Sequence, residues 1–465
     1  MGKKEIKWYN IVIEKGGEVM NSWIRESIFY QIYPLGFCGV LDANKDYEQK
    51  NRLIMIENCI PHLKEINVNA IYFSPVFEST YHGYDTKDYY KIDRRLGTNE
   101  DFKNLCKKLH DNNIKIVLDG VFNHVGRDFF AFNDVKENGP SSKYVNWFTN
   151  LNFNNKSAYG DNFSYEGWNG CYDLVKLNLW NDEVVDHLLK AVGFWIDEFD
   201  IDGLRLDAAD KVELEFFKKL RRFTESKKKD FWLMGEIIHG DYRRWANDEC
   251  LHSVTNYECY KGIYSSHNDK NYFEISYSLN RLFGNGGLYK DLCLYNFVDN
   301  HDVNRVASTL KTEKYLNNVY TILYTMPGVP SVYYGSEYGI KGVKENGSDE
   351  PLRPLYDIEA FKKENCELCD TIARLGEIRS KSKALKYGDF ENVLIRNEQL
   401  VYSRAAEDDK VYILLNLSDS ESTLDFDMSF EEGIDLLDSS KEIVKGGRVS
   451  IKVPAFSAKI ISKSK

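Results

Sequence analysis

Positive charge is the minority sign in this chain: 61 Lys and Arg stand against 72 Asp and Glu, a net charge of −11. That deficit argues against a nucleic-acid partner, whose phosphates call for a basic face. The one dense basic run, Lys227–Lys229 after Arg221 and Arg222, reads as the solvated end of a helix. No window reaches the ~18 apolar residues of a membrane crossing. The opening MGKKEIKWYN lacks the apolar centre of a signal peptide. The nine cysteines are odd in number and scattered, which speaks against a disulfide framework. Cys366 and Cys369 form a C-x-x-C pair in a helical stretch, with no second pair or histidine cluster to complete a zinc set. Thiols without a leader fit a reducing, cytoplasmic setting with no membrane partner. No internal repeat or low-complexity segment stands out.

What is present is length, apolar content and rings. A chain of 465 residues exceeds one compact core and implies two or three domains. Aromatic residues reach 14%, with 31 Tyr and 8 Trp. Rings pack cores and also stack on the apolar faces of sugars, and composition does not separate these uses.

From about residue 27, short apolar runs alternate with amphipathic ones. Strands are expected at 27–34, 70–77, 115–122, 201–207, 231–237, 253–258, 293–299 and 331–335. Helices are expected at 51–66 (with Pro61 a kink), 99–113, 182–199, 214–228, 242–247, 273–283, 315–326 and 360–386. Repeated βα units imply parallel strands with right-handed crossovers. Eight of them point to a closed (β/α)8 barrel, with an open doubly wound sheet as the alternative. The rhythm breaks over 125–176, which is rich in Asn, Gly and rings and too long for a structureless loop, so an inserted subdomain is expected. After residue 386 short β-type runs separated by turn clusters indicate a β-sandwich. The expected layout is an N-terminal extension over 1–22, a barrel over 23–386 carrying the 125–176 insertion, and a sandwich over 387–465.

In such a barrel the site lies at the C-terminal ends of the strands. There the sequence has Asp119 to His124, Arg205 to Asp207, Glu236, and His301 with Asp302. Any one strand-end Asp is more often a cap or ion-pair partner than a catalyst, but four ends with matching chemistry form a set. Retaining glycoside cleavage needs a carboxylate nucleophile and a protonated carboxyl group ~5–5.5 Å away. Arg205, two residues before Asp207 on a strand, points the same way and is expected to keep Asp207 ionised. Glu236 ends the apolar run FWLMG, where partial burial raises a carboxyl toward an acid's role. Asp302 suits stabilising an oxocarbenium-like charge, and His124 and His301 suit sugar hydroxyls.

The segments DGVFNH, GLRLDAAD, GEI and FVDNHD, in that order, resemble the four signature regions of the α-amylase family of glycoside hydrolases. The resemblance covers nearly the whole chain from about residue 23, with 125–176 similar to that family's subdomain B and the tail to its domain C. It implies Asp207 as nucleophile, Glu236 as acid/base and Asp302 as transition-state stabiliser. Asp119, His124, Arg205 and His301 then line the cleaved glucose, and Tyr84 in YHGYDT stacks under it. Within the family, LVKLN at 174–178, which adds Lys176 to the substrate-binding set, the acidic Asp210 and GEIIH at 235–239 resemble the neopullulanase, cyclomaltodextrinase and maltogenic amylase group. Ile238 stands where that group has an acceptor-side Trp. The short segment ahead of the first strand does not match its dimer-forming N-terminal β-domain, so the oligomeric state is left open.

The resemblance implies hydrolysis of α-1,4 bonds, with α-1,6 bonds also in reach, in starch-derived maltooligosaccharides. Asp85 and Arg305 resemble a pair that closes the pocket of exo-acting α-glucosidases, which makes exo action or ring opening with transglycosylation the alternative. A catalytically dead sugar-binding relative would lack a catalytic carboxylate, and all three are here. Asn123 matches a family calcium ligand, and Asp42, Asn44 and Asp46 alternate like the oxygen ligands of a calcium loop. Structural calcium is therefore an expectation, while the chemistry itself calls for no cofactor.

Overall fold

Eight short parallel strands close a barrel: β1 (Phe29–Ile32), β2 (Ala70–Phe73), β3 (Lys115–Gly120), β4 (Gly203–Leu206), β5 (Trp232–Gly235), β6 (Ser253–Val254), β7 (Tyr295–Asn296) and β8 (Val329–Tyr333). They are seen in a computed structural model that describes residues 22–44, 48–443 and 447–463; of the expected extension over 1–22, residues 1–21 lie outside them. Each strand pairs in parallel with its neighbour, and β8 returns to β1 with Phe29 opposite Ser331. A parallel bridge from Thr255 to Tyr295 joins β6 to β7. The ring is therefore complete, and the open-sheet alternative is excluded.

The strand sequences account for this. FYQI, AIYF and WLMG are buried at every position, as parallel strands covered on both faces must be. Alternate residues point inward, and Phe29, Ala70, Tyr72, Val117, Trp232, Met234, Tyr295 and Val329 fill the barrel. Phe29 packs 5.4 Å from both Trp232 and Tyr295, ring centre to ring centre. The other face of each strand meets the helices.

Helices Asn99–Asp111, Asp182–Phe199 and Leu214–Lys227 lie where the 3.6-residue period puts them. The first is capped by Thr98, through a reciprocal box with Asp101. Three segments depart from expectation. The 51–66 stretch is two helices, Ile54–Asn58 and Ile60–Glu65, broken at Cys59 ahead of Pro61. The run expected as a strand over 253–258 stops at Val254 because the Asn256 side chain caps a helix, Tyr257–Asn268. The long C-terminal helix ends at Lys381, and Ser382 caps a separate turn, Lys383–Tyr387. Among the described residues no helix is long and apolar enough to cross a membrane.

The insertion is a small three-stranded sheet, with His124–Gly126 and Gly167–Trp168 both paired to Cys171–Lys176. Phe129, Phe132, Trp147, Phe148, Phe163 and Tyr165 are buried as its own core, Phe130 is exposed, and Trp168 turns toward the barrel mouth. The C-terminal domain sets a six-stranded antiparallel sheet against the pair Ser422–Asp427 and Arg448–Val453. Val401, Tyr412, Leu414, Leu424 and Ile451 pack between them.

A buried arginine, Arg404, ties this domain to the barrel, and a second, Arg379, ties the barrel's last long helix to the start of β8. Arg404 donates to Thr325 O at 2.6 Å and Gly388 O at 2.8 Å. Arg379 donates to Gly328 O at 2.7 Å and Leu385 O at 3.0 Å. Among the described residues neither has a carboxylate partner; their hydrogen bonds go to backbone carbonyls. Replacing Arg404 by Ala leaves those carbonyls buried and unpaired. The expected loss is about 3 kcal/mol of unfolding free energy, read as a lower urea midpoint; a midpoint unchanged from wild type would show that the arginine does not join the domains.

Candidate active site

The C-terminal ends of the strands open into a cavity of about 800 Å³ lined by Tyr84, His124, Trp168, Asp207, Glu236 and Asp302, among others. They enter from five βα connections, His124 and Trp168 sharing the one after β3. Asp119 sits on β3 with His124 just beyond it, Arg205 sits on β4 with Asp207 one residue past its end, and Glu236 follows β5 directly. Backbone bonds set the register of these ends: Asp207 N donates to Gly120 O at 3.1 Å and Glu236 N to Leu206 O at 3.0 Å.

Arg205 is the hub. Its Nη1 lies 2.8 Å from Asp207 Oδ1 and 2.9 Å from Asp119 Oδ1, and its Nη2 lies 2.9 Å from Glu236 Oε1. One guanidinium therefore joins three carboxylates, and the fork geometry fixes their relative placement. Ala208 adopts a left-handed conformation (φ 44°), rare for a residue with a side chain. Its N–H thereby reaches Glu236 Oε2 at 3.2 Å.

On the opposite wall, Tyr84 donates to Asp119 Oδ2 at 3.1 Å and stacks on His301, their planes 8° apart. His301 Nε2 lies 3.0 Å from Asp302 Oδ2, and Arg353 Nη2 lies 3.2 Å from Asp302 Oδ1. The His124 Nε2 is buried without a hydrogen-bond partner, 3.8 Å from Asp207 Oδ2. Burial, aided by His82, pushes the His124 imidazole down to about 3, so it faces the cavity uncharged, with a polar atom open to a ligand hydroxyl.

The two acidic ends titrate in opposite senses. Burial pushes the Asp207 carboxyl well above its ordinary value; Arg205 pulls it down, while Glu236 and Asp119 push it further up. The expectation that Arg205 alone keeps Asp207 ionised thus understated desolvation, which outweighs the guanidinium here. The Asp302 side chain is more open, about a third exposed; burial again acts upward, but His301, Arg353 and Arg205 hold its carboxyl far below the usual range.

Not every expected residue joins this set. Asp85 and Arg305 do not pair. The Asp85 carboxylate accepts the backbone N–H groups of Tyr81, His82 and Gly83 at 2.7–3.1 Å, and so shapes the turn that presents Tyr84. Arg305 is wholly buried, donating to Tyr334 O, Ser336 Oγ and Leu352 O and lying 3.9 Å over the Tyr333 ring. Each charge is used locally, so the pocket closure inferred from spacing is absent. Lys176 binds Glu166 at 2.9 Å and lines a neighbouring cavity that meets the first at Trp168. Sequence reasoning missed Tyr33, Tyr257, Asp349 and Arg353, which line the cavity. Arg353 lies in a loop without periodicity, and nothing local marks it.

Of the calcium candidates, Asp46 lies outside the described residues. The Asp42 carbonyl is taken by Arg95 Nη1 at 2.9 Å, and Arg95 also holds the Tyr81 carbonyl, Ser79 Oγ and both oxygens of Asp93. Among the described residues Asn44 Oδ1 is buried without a partner. Asn123 turns its amide to His124 Nδ1 at 3.1 Å. Among the described residues no group of three or more His, Cys, Asp or Glu is arranged to hold a metal.

Residues 31–371 match the profile described as "Alpha amylase, catalytic domain". A maltogenic α-amylase of Bacillus acidopullulyticus is 30% identical over 94% of this chain and 78% of its own. An intracellular maltogenic amylase of Bacillus subtilis is 30% identical over 84% of this chain and 68% of its own. Among solved structures, the cyclic α-maltosyl-(1→6)-maltose hydrolase of Arthrobacter globiformis superposes with a TM-score of 0.81 at 26% identity, over 96% of this chain and 100% of that one.

The raised Asp207 carboxyl has a measurable consequence. A reaction that needs Asp207 ionised keeps its rate at high pH and loses it as pH falls through a value above the ordinary carboxylate ~4. The acid limb of kcat/KM on maltotriose is expected above that value. An acid limb at or below it would mean that Arg205 outweighs burial.

Proposed function

The chain belongs to the α-amylase family of glycoside hydrolases, and from that premise we propose that it cleaves α-1,4-glucosidic bonds of maltooligosaccharides with retention, and α-1,6 bonds as a second class. Asp207 attacks the anomeric carbon while Glu236 gives its proton to the departing oxygen, leaving a glycosyl ester on Asp207. Glu236 then takes a proton from water as that water displaces Asp207, and both carboxyl groups return to their starting states. Asp302, held ionised, faces the positive charge that develops on the sugar ring.

One observation carries this reading: a single guanidinium touches both Asp207 and Glu236. Two carboxyl groups on one fork support the short separation of a retaining pair, ~5–5.5 Å, rather than the ~6.5–9.5 Å that leaves room for water in inverting enzymes. Asp119, Arg205, Tyr84, His124 and His301 surround the position of the cleaved glucose and supply donors and a flat ring. Where the 42–46 loop holds a calcium ion, Asp42, Asn44 and Asp46 would ligate it and it would brace the loop; the steps above use only this chain's side chains.

A second reading is action on cyclic glucans, supported by the likeness along its whole length to the cyclic maltosyl-maltose hydrolase. The exo-acting alternative loses its motive, since Asp85 and Arg305 are engaged elsewhere. An intracellular setting is supported by nine free cysteines, six of them buried, and by the intracellular relative.

Replacing Asp207 by Asn is expected to cut turnover by at least about a thousandfold with the fold intact; activity at the wild-type rate would remove Asp207 as nucleophile. Products from maltoheptaose, resolved by chain length over time, are expected as early mixed fragments. Glucose with maltohexaose as the first products would mean a pocket closed by other residues.

A further inference from the structure

His301 is fixed on all sides. Its ring lies between Tyr33, with planes 21° apart, and Tyr84. Its backbone carbonyl accepts from Arg353 Nε at 3.2 Å. Its Nε2 faces two groups, Asp302 Oδ2 at 3.0 Å and the Tyr84 hydroxyl. An ionised carboxylate only accepts. The Tyr84 hydrogen is already directed at Asp119, so its oxygen accepts as well. Nε2 must therefore carry a hydrogen.

The other nitrogen decides the charge of the ring. Nδ1 lies 2.7 Å from the side-chain amide nitrogen of Gln31, which is buried at the end of β1. The same nitrogen reaches Ser74 Oγ at 3.3 Å. An amide NH₂ offers two hydrogens, one for each of these neighbours. A bare Nδ1 accepting one of them leaves His301 neutral.

We propose that Gln31 is a positioning residue that holds His301 as its neutral Nε2–H tautomer, aimed at Asp302. A second proton on the ring would place an imidazolium against Asp302 and neutralise the charge that the developing cation requires. Gln31 touches no reacting atom in this scheme; it acts through His301, as a tautomer-setting partner does in other acid–base sites. The rival arrangement reverses the amide, sets Oε1 against Nδ1–H, and makes His301 an imidazolium. Asp302, Tyr84, Tyr33 and Arg353 are the titratable and charged groups packed around the ring, and all of them are unchanged between the two.

The inference rests on the assignment of Asp302 to the reaction, and two measurements separate its failure from the failure of that assignment. In full-length protein labelled with ¹⁵N-histidine at neutral pH, the His301 signals are assigned by their loss in His301→Asn. One bare and one protonated nitrogen are expected; two protonated nitrogens overturn the proposal, whatever the enzyme's activity. In Gln31→Glu, the carboxylate accepts from Nδ1–H and makes the ring doubly protonated. The kcat on maltotriose is expected to fall at least about tenfold with KM changed less than about threefold. The loss is expected to recede as pH rises and the imidazolium gives up its proton. An unchanged kcat, or a loss that does not vary with pH, overturns the proposal. Wild-type turnover of maltotriose in the same assay tests the hydrolase reading by itself, and the NMR result stands if the Glu variant does not fold.

Discussion

The interaction on which the site depends is the contact of the Arg205 guanidinium with Asp119, Asp207 and Glu236. Three carboxylates at one barrel mouth repel one another and are each desolvated, and no arrangement of them alone is stable. A fork with donors along two edges meets all three and converts repulsion into geometry. Lysine, a compact point charge, lacks the second edge. The balance is not complete: burial still raises Asp207, while Asp302, beyond the reach of Arg205's hydrogen bonds but against His301 and Arg353, is pulled the other way.

The rest of the fold serves that hub. Barrel closure brings β3, β4 and β5 into adjacent register, so that Asp119 lies directly opposite Arg205 across the β3–β4 pair. The rings of Phe29, Trp232 and Tyr295 fill the barrel below and keep the strands apart at a set distance. Buried cations recur as a structural device. Arg95 gathers the carbonyls of Asp42 and Tyr81, Arg305 gathers those around β8, Arg379 gathers those of Gly328 and Leu385 within the barrel, and Arg404 gathers those between barrel and sandwich. In each case a guanidinium satisfies several buried acceptors at once where strand ends and loops leave carbonyls without partners.

Where sequence reading erred, local chemistry overrode pattern. The strand expected over 253–258 was cut short by the Asn256 cap, because one side-chain hydrogen bond to a backbone N–H decides where a helix begins. The 51–66 helix divided ahead of Pro61. Asp85 and Arg305 stood near the right motifs, yet spacing carries no information on direction: one carboxylate turned back on its own backbone and one guanidinium turned into the protein.

The sequence by itself determined the barrel and its principal carboxylates. Short continuous apolar runs and helices of period 3.6 set the eight units, and Asp119, Asp207, Glu236 and Asp302 fall at or past strand ends because parallel βα connections put them there. Tertiary structure alone decided which charges meet. Arg353 reaches Asp302 from 51 residues away, and Gln31 reaches His301 across 270 residues. Such contacts arise when the last strand returns to the first, and no window of sequence contains both partners. The direction in which Asp207 titrates belongs to the same class, since desolvation is a property of everything packed around a group and not of its neighbours along the chain.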